Sequence, residues 1–344
     1  MGKNPYTIMF GKEPQQVIPR PIQRDEITEI FAEENPTQQI FLITGIRGMG
    51  KTVFMTEVSE KIAKDKDWIV VELNPEKDML VDLAAKLASE NSLAGIFKEA
   101  KINLSFFGIG LEVTGSVPIT SIDLALEKML ESLKKKGRKV LITVDEAVSN
   151  KEMRIFTNTF QILVRKNLPV FLLMTGLYEN IYELQNEKTL TFLYRAPKID
   201  LGPLNISAVA DNYEKVFDVE RDKALSMARL TKGYSFAFQV LGHFAWENGL
   251  EEEKWMSSFR QYLFEYSYDK IWSELSRGDK KFLYAMSQSP EGKISDIKEF
   301  LQTDNNSINP YRSRLIKRGL INGEERGYVT FVLPQFDRYV AETY

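Results

Sequence analysis

The sequence predicts an α/β core, a parallel sheet with helices on both faces. Three observations carry that prediction. Short apolar runs alternate with amphipathic helical patterns up to about residue 204, the order that a doubly wound sheet produces. The runs Ile40–Ile43, Trp68–Leu73, Val140–Val144, Val170–Met174 and Ile199–Leu201 are short and mainly apolar, as strands covered on both faces are. A glycine-rich turn from Gly45 to Gly50 joins the first run to a helical pattern beginning at Val53.

Between the runs, Met79, Leu80, Leu83 and Leu87, then Leu124, Leu126, Met129, Leu130 and Leu133, recur at three- and four-residue spacing and predict helices over the sheet. An insertion at 101–117 departs from this pattern. Ile102, Leu104 and Phe106, then Ile109, Leu111 and Val113, alternate around Gly108 and Gly110 and predict a β-hairpin. Its tip, 106–109, is apolar on both faces, so it either folds back on its own domain or meets a neighbouring subunit or partner.

After Pro203 the pattern is helical only, through Leu275. From Arg277 come two short helical patterns, a third opened by Asn309-Pro310 and closed by Gly319, and a strand pair ending in Tyr328–Val332. Asn, Pro and Gly in those places punctuate a helix, and three helices with a β-wing make a winged helix-turn-helix. The predicted division is therefore an α/β core at 1–204, an all-α domain at 205–275 and a winged helix at 276–344.

Composition narrows the chemistry. With 344 residues, 43% hydrophobic and 27% charged, the chain suits two or three globular domains. It has no cysteine and one histidine, which removes disulfides, thiolate zinc sites, cysteine nucleophiles and His-pair metal sites. His243, among Leu241, Phe244 and Trp246, reads as a packed helix residue. No run of apolar residues is long enough to span a bilayer, and the first twenty residues lack an apolar leader core. A cytoplasmic protein is expected.

Gly45-Ile46-Arg47-Gly48-Met49-Gly50-Lys51-Thr52 reads G-x-x-x-x-G-K-T between a predicted strand and a predicted helix. That is the context of a phosphate-binding loop. Glycines let backbone N–H groups turn around an anion, the helix N-terminus adds its dipole, Lys51 reaches the β- and γ-phosphates, and Thr52 supplies a hydroxyl to Mg²⁺. A nucleoside triphosphate, read as ATP, is the expected ligand.

The run Val140–Val144 ends in Asp145-Glu146. Asp145, at the end of a strand where ligands of open α/β sheets bind, can hold Mg²⁺. Glu146 can orient and deprotonate the attacking water. The next strand ends in Thr175, expected between the two phosphate-handling strands and placed to bond the water or the γ-phosphate. Arg195, just before the last strand, either senses the γ-phosphate, across a subunit boundary, or caps the preceding helix.

These residues resemble the AAA+-like P-loop ATPases of the STAND and archaeal Orc1/Cdc6-like group, over nearly the whole chain. Pro19 to Glu26 is similar to their N-terminal segment near adenine, Gly45 to Thr52 to their Walker A, and Val144-Asp145-Glu146 to their Walker B. Gly233 to Gln239 resembles their lid motif, without its usual proline or a sensor 2 arginine, and sensor 1 is Thr175 where Asn is commoner. The resemblance implies ATP and Mg²⁺ as cofactors and nucleotide contacts from Gly45 through Val53 with Pro19, Arg20 and Tyr234; a homo-oligomer through Arg195 and the hairpin tip is the expectation from the residues themselves.

Residues 277–344 hold eleven Lys and Arg against nine Asp and Glu, a net charge of +2. Arg312, Arg314, Lys317 and Arg318 lie between Ile308 and Leu320 without an acid. At about 100° per residue, Ser313, Arg314, Lys317 and Arg318 fall opposite Tyr311, Leu315 and Ile316. With Arg326 on the wing, residues 306–332 form an expected basic face for duplex DNA. Winged helices also serve as protein-contact modules, and that alternative stays open.

Overall fold

The structure is a computed structural model that describes residues 3–9, 14–111 and 116–344. The chain divides into two compact units. One comprises Arg20–Thr44 and Lys51–Asp200; the other takes in the described residues up to Pro19, Gly45–Gly50 and Leu201–Tyr344.

The first unit is the predicted α/β core. In chain order it holds α1 (Pro21–Ala32), β1 (Ile40–Thr44), α2 (Lys51–Ala63), β2 (Trp68–Leu73), α3 (Met79–Ser89), α4 (Ala94–Glu99), α5 (Ile122–Lys135), β3 (Lys139–Val144), α6 (Lys151–Arg165), β4 (Val170–Gly176), α7 (Tyr178–Asn186) and β5 (Lys198–Asp200). The five strands are parallel in the order β2-β3-β4-β1-β5. β4 thus lies between β3 and β1, with Ile43 opposite Thr175.

β1, β3 and β4 are apolar because they are buried on both faces, whereas β2 alternates and β5 buries only Ile199. Leu42, Val140, Ile142 and Leu172 enter one core with Leu83 and Leu130 of the helices. On the other face Phe31, Phe41, Trp68 and Phe171 pack ring against ring, and Lys139 Nζ sits 5.2 Å from the Trp68 ring centroid. Asp78, Ser121 and Asn150 cap α3, α5 and α6 with their side chains, which sets where each helix begins.

The expected β-hairpin at 101–117 is not formed by strands among the described residues. Ser105–Phe107 is a 3₁₀ turn ended by Gly108 at φ 71°, and Val113 lies outside the described residues. The reason is local. Buried Asn103 accepts from the Ser105 N–H at 3.1 Å and donates to the Ser116 carbonyl at 3.2 Å, taking groups that a strand ladder would pair. Ile102, Leu104 and Leu111 all enter the same core, with Phe107 and Ile109 packed against it. Phe106 remains 62% exposed.

The second unit is mainly helical: α8 (Ile206–Phe217), α9 (Arg221–Leu230), α10 (Ser235–Asn248), α11 (Glu252–Leu263), α12 (Asp269–Ser273), α13 (Arg277–Ser287), α14 (Ile294–Leu301), α15 (Asn305–Lys317), β6 (Ile321–Asn322), β7 (Thr330–Phe331) and α16 (Phe336–Thr343). Tyr6 is buried against Tyr213, Phe217 and Phe238. A Cβ on Gly242 would come within 2.5 Å of the Tyr6 ring, so glycine there admits the N-terminal segment. His243 bonds Asn4 at 3.0 Å and faces Glu247 at 3.2 Å.

After α13 and α14, the third helix starts earlier than the sequence suggested. Asp304 caps α15, accepting from the Ser307 N–H at 2.9 Å, and Pro310 lies inside the helix. Pro310 and Asn306 are both on its exposed side, where water can serve the carbonyl that the proline leaves unbonded. β6 and β7 pair antiparallel with Ile321 opposite Phe331, and a single bridge joins Lys293 to Tyr328. Among the described residues, no helix is long and apolar enough to cross a membrane.

Candidate functional site

At the carboxyl end of the sheet, three residues converge on the Asp145 carboxylate. Thr52 in the first turn of α2 donates its hydroxyl to Asp145 Oδ2 at 2.7 Å, and the Thr175 hydroxyl donates to Oδ1. The Glu146 N–H reaches Asp145 Oδ1 at 3.0 Å and Thr175 Oγ1 at 3.3 Å. Thr175 is fully buried. It can stand there because β4 lies beside β3, so the end of one strand faces the end of the next. Its hydroxyl orients Asp145, a contact that the sequence did not suggest.

Glu146 adopts a left-handed backbone at φ 52°. A non-glycine residue held there stores local strain of order 1–3 kcal/mol, which persists only where the surroundings enforce it. The two bonds from its N–H are that enforcement. Thr52 and Asp145 together offer oxygen donors of the kind that Mg²⁺ takes. Among the described residues no group of three or more His, Cys, Asp or Glu side chains could hold a metal alone, so a cation here would draw its remaining ligands from phosphate and water.

In the other unit, the turn Gly45–Gly50 has Gly48 at φ 78° and Gly50 at φ 88°. These left-handed values suit glycine. Gly48 is needed for space as well, because a Cβ there would lie 2.3 Å from the Tyr234 hydroxyl oxygen. Three consecutive carbonyls of the turn accept bonds from one segment. Tyr234 Oη donates to Arg47 O at 2.8 Å, the Phe236 N–H to Gly48 O at 3.0 Å, and Ser235 Oγ to Met49 O at 2.9 Å. Ile46 and Met49 are buried, and the Arg47 guanidinium lies 3.7 Å from Glu274.

Burial pushes the Tyr234 phenol well above its ordinary pKa, so it remains a donor. The sequence reading grouped Tyr234 with the nucleotide contacts, and the structure puts its hydroxyl on the loop backbone. Lys51, Thr52 and Val53 open α2, which begins two residues before the expected Val53. Pro19 is exposed, and Arg20, half-buried, precedes α1. Desolvation lowers the Arg20 pKa, partly offset by Glu57. Arg195 is exposed at the end of a 3₁₀ turn, Thr191–Arg195, and among the described residues its side chain makes no hydrogen bond or ion pair, a helix cap included.

The basic face expected on the third helix is only partly exposed. Arg314 is held by buried Asp279, Arg312 donates to Gly323 O at 3.1 Å, and Arg318 donates to Glu274 O at 3.5 Å. Ser313, Lys317 and Arg326 are exposed. The outward side of α15 thus includes Asn306, Asn309, Pro310, Ser313 and Lys317. Helical phase alone ranked Arg314 as outward, because it carries no information about the acid on α13.

A family model described as a domain of unknown function (DUF8462) matches residues 265–340. No curated protein matches the sequence. The fold does match solved structures. The Walker-type ATPase PABY2304 of Pyrococcus abyssi is 14% identical, with 94% of this chain and 96% of that chain covered and a TM-score of 0.67. The ORC2 protein of Aeropyrum pernix, in ADPNP-ADP complexes, is 12% identical over 97% and 95%, with a TM-score of 0.60. Cdc6p of Pyrobaculum aerophilum is 15% identical over 97% and 96%, with a TM-score of 0.50. At such identities the likeness is one of fold, and this chain shares the α/β fold, with its five-stranded parallel sheet, of these archaeal structures.

Proposed function

We propose that this chain binds ATP with Mg²⁺, hydrolyses it, and uses the nucleotide state to control its C-terminal segment, residues 276–344. The observation that carries the reading is the cluster of Thr52, Asp145, Glu146 and Thr175 at the strand ends, in a chain whose G-x-x-x-x-G-K-T motif ends at that same Thr52. The fold shared with the archaeal structures supports it, as does the ADPNP-ADP content of the ORC2 structure.

In this reading Gly45 through Val53 wrap the phosphates and Lys51 neutralises the β- and γ-oxygens. Thr52 and Asp145 hold the cation, which neutralises charge on the phosphates when bound. Thr175 keeps the Asp145 carboxylate turned to it. Glu146 takes a proton from water as the water oxygen bonds to the γ-phosphorus, and the bond from that phosphorus to the β–γ bridging oxygen breaks to release ADP and phosphate. Arg195, exposed and unpaired among the described residues, is the candidate for γ-phosphate contact from a second copy. The tip at 106–109, with exposed Phe106, is the candidate for the contact that brings that copy close. Pro19 and Arg20 are the candidates for the adenine side.

Titration of a fluorescent ATP analogue with and without Mg²⁺ tests the binding half. No saturable, Mg²⁺-dependent binding by the wild type would end this reading.

For the output, the winged-helix reading of 276–344 places duplex DNA against Ser313, Lys317 and Arg326, with Asn306 and Asn309 able to reach base edges. A second reading, in which the segment contacts protein, is favoured by the engagement of Arg312, Arg314 and Arg318 within their own unit. Mobility of random duplex with the protein, with and without ATP, separates the two. Binding that falls steeply with salt supports DNA, and no shift at about 50 mM salt leaves the protein-contact reading.

A further inference from the structure

The lid residues touch the phosphate-binding turn on its carbonyl side. A turn that wraps an anion with its N–H groups must satisfy its own carbonyls elsewhere. Here the carbonyls of Arg47, Gly48 and Met49 are satisfied by Tyr234, Phe236 and Ser235, three consecutive residues of one segment. Two of the three donors are side-chain hydroxyls, so the arrangement depends on residue identity and not on backbone alone.

Tyr234 does not act by itself. Its hydroxyl lies 2.7 Å from Ser267 Oγ, and both groups are buried. The phenol has one proton, and a carbonyl cannot donate. With that proton on Arg47 O, Ser267 must be the donor to Tyr234, so the chain of bonds runs one way, from Ser267 to Tyr234 to the loop. Ser267 sits in a single π turn, Phe264–Tyr268, between α11 and α12, a widened turn of the kind that recurs at functional positions. Arg47 faces Glu274 near the end of the same run of helix.

We infer that Tyr234-Ser235-Phe236 is a clasp that positions the phosphate-binding loop, with Tyr234 a positioning residue and Ser267 the donor that holds it. The clasp sets the loop in the shape that receives a nucleoside triphosphate before one arrives. The inference rests on the nucleotide reading above and deepens it.

The test uses the full chain with Tyr234→Phe, Ser235→Ala, Ser267→Ala and Ser267→Thr, read by ATP titration and by hydrogen exchange of residues 45–52 without nucleotide. Tyr234→Phe keeps the ring and removes only the hydroxyl. It should weaken ATP binding about two- to tenfold, the worth of one buried neutral hydrogen bond, and speed exchange of the loop by a similar factor. Ser267→Ala should weaken binding in the wild-type background and add nothing to Tyr234→Phe, because it acts through that hydroxyl. Ser267→Thr should restore the wild-type values. If Tyr234→Phe does not fold, Ser235→Ala and Ser267→Ala carry the same two readouts. Wild-type ATP affinity with unchanged loop exchange in these variants would overturn the clasp. Loss of ATP binding by the wild type itself would overturn the nucleotide reading instead, and the exchange rates would still report on the clasp.

Discussion

Arg314 of the third helix and Asp279 of α13 form a forked ion pair, with Nη2 2.7 Å and Nε 3.0 Å from Oδ1. Asp279 is 1% exposed, and its other oxygen serves the capping box of α13 by bonding the Ser276 N–H and hydroxyl. The guanidinium therefore compensates a buried charge, a task separate from contact with any ligand.

Arg314→Ala should destabilise the protein by about 2 kcal/mol. That is below the 3–5 kcal/mol of a fully buried pair, because Asp279 keeps its Ser276 bonds and the Arg314 side chain is 41% exposed. Lys317→Glu, on the outward side of the same helix, should change stability by within about 0.5 kcal/mol. Denaturant midpoints of the two variants compare them directly, and an equal loss in both would refute the structural role of Arg314.

Lys51→Ala should abolish tight ATP binding, since the lysine charge on the β- and γ-phosphates goes with it. Glu146→Gln should keep ATP bound and lose turnover, because Asp145 and Thr52 remain to hold the cation. Phosphate release by Glu146→Gln at the wild-type rate would remove Glu146 from the chemistry.

Arg195→Ala should lower hydrolysis far more than ATP affinity, because a charge acting on the γ-phosphate in the transition state adds little in the ground state. If the arginine acts from a second copy, mixing Arg195→Ala with Glu146→Gln protein should recover part of the activity. Unchanged turnover in Arg195→Ala alone would exclude it.

Alkali should unfold the second unit early. Burial raises the pKa of Tyr6, Tyr213, Tyr234 and Tyr268 above the ordinary phenol value. The folded state then keeps protons that the unfolded chain releases, so this contribution is whole below about pH 10 and is lost as pH rises beyond it. Each such tyrosine lowers stability by up to about 1.4 kcal/mol per pH unit in that range. Denaturant midpoints between about pH 8 and pH 11 should be flat at first and then fall, with a shallower fall in Tyr213→Phe. A midpoint unchanged to about pH 11 would contradict the burial of these phenols.

Several elements were legible in the chain alone because short-range rules govern them. β2 spans Trp68–Leu73 as read, and β4 lies between β3 and β1 as expected, since burial leaves an apolar run and the fold class orders the strands. The places of the Gly45–Gly50 turn after β1 and of Asp145-Glu146 after β3 were legible for the same reason, because each follows directly on an apolar run. The insertion was misread because alternation reports which side chains are apolar and not where they point; Asn103 bends the chain so that Ile102, Leu104 and Leu111 all enter one core. Long-range pairing decided the rest. Thr175 on Asp145, Ser267 on Tyr234 and Asp279 on Arg314 join residues 30, 33 and 35 positions apart, and no periodicity along the chain encodes a hydrogen bond between elements that only packing brings together.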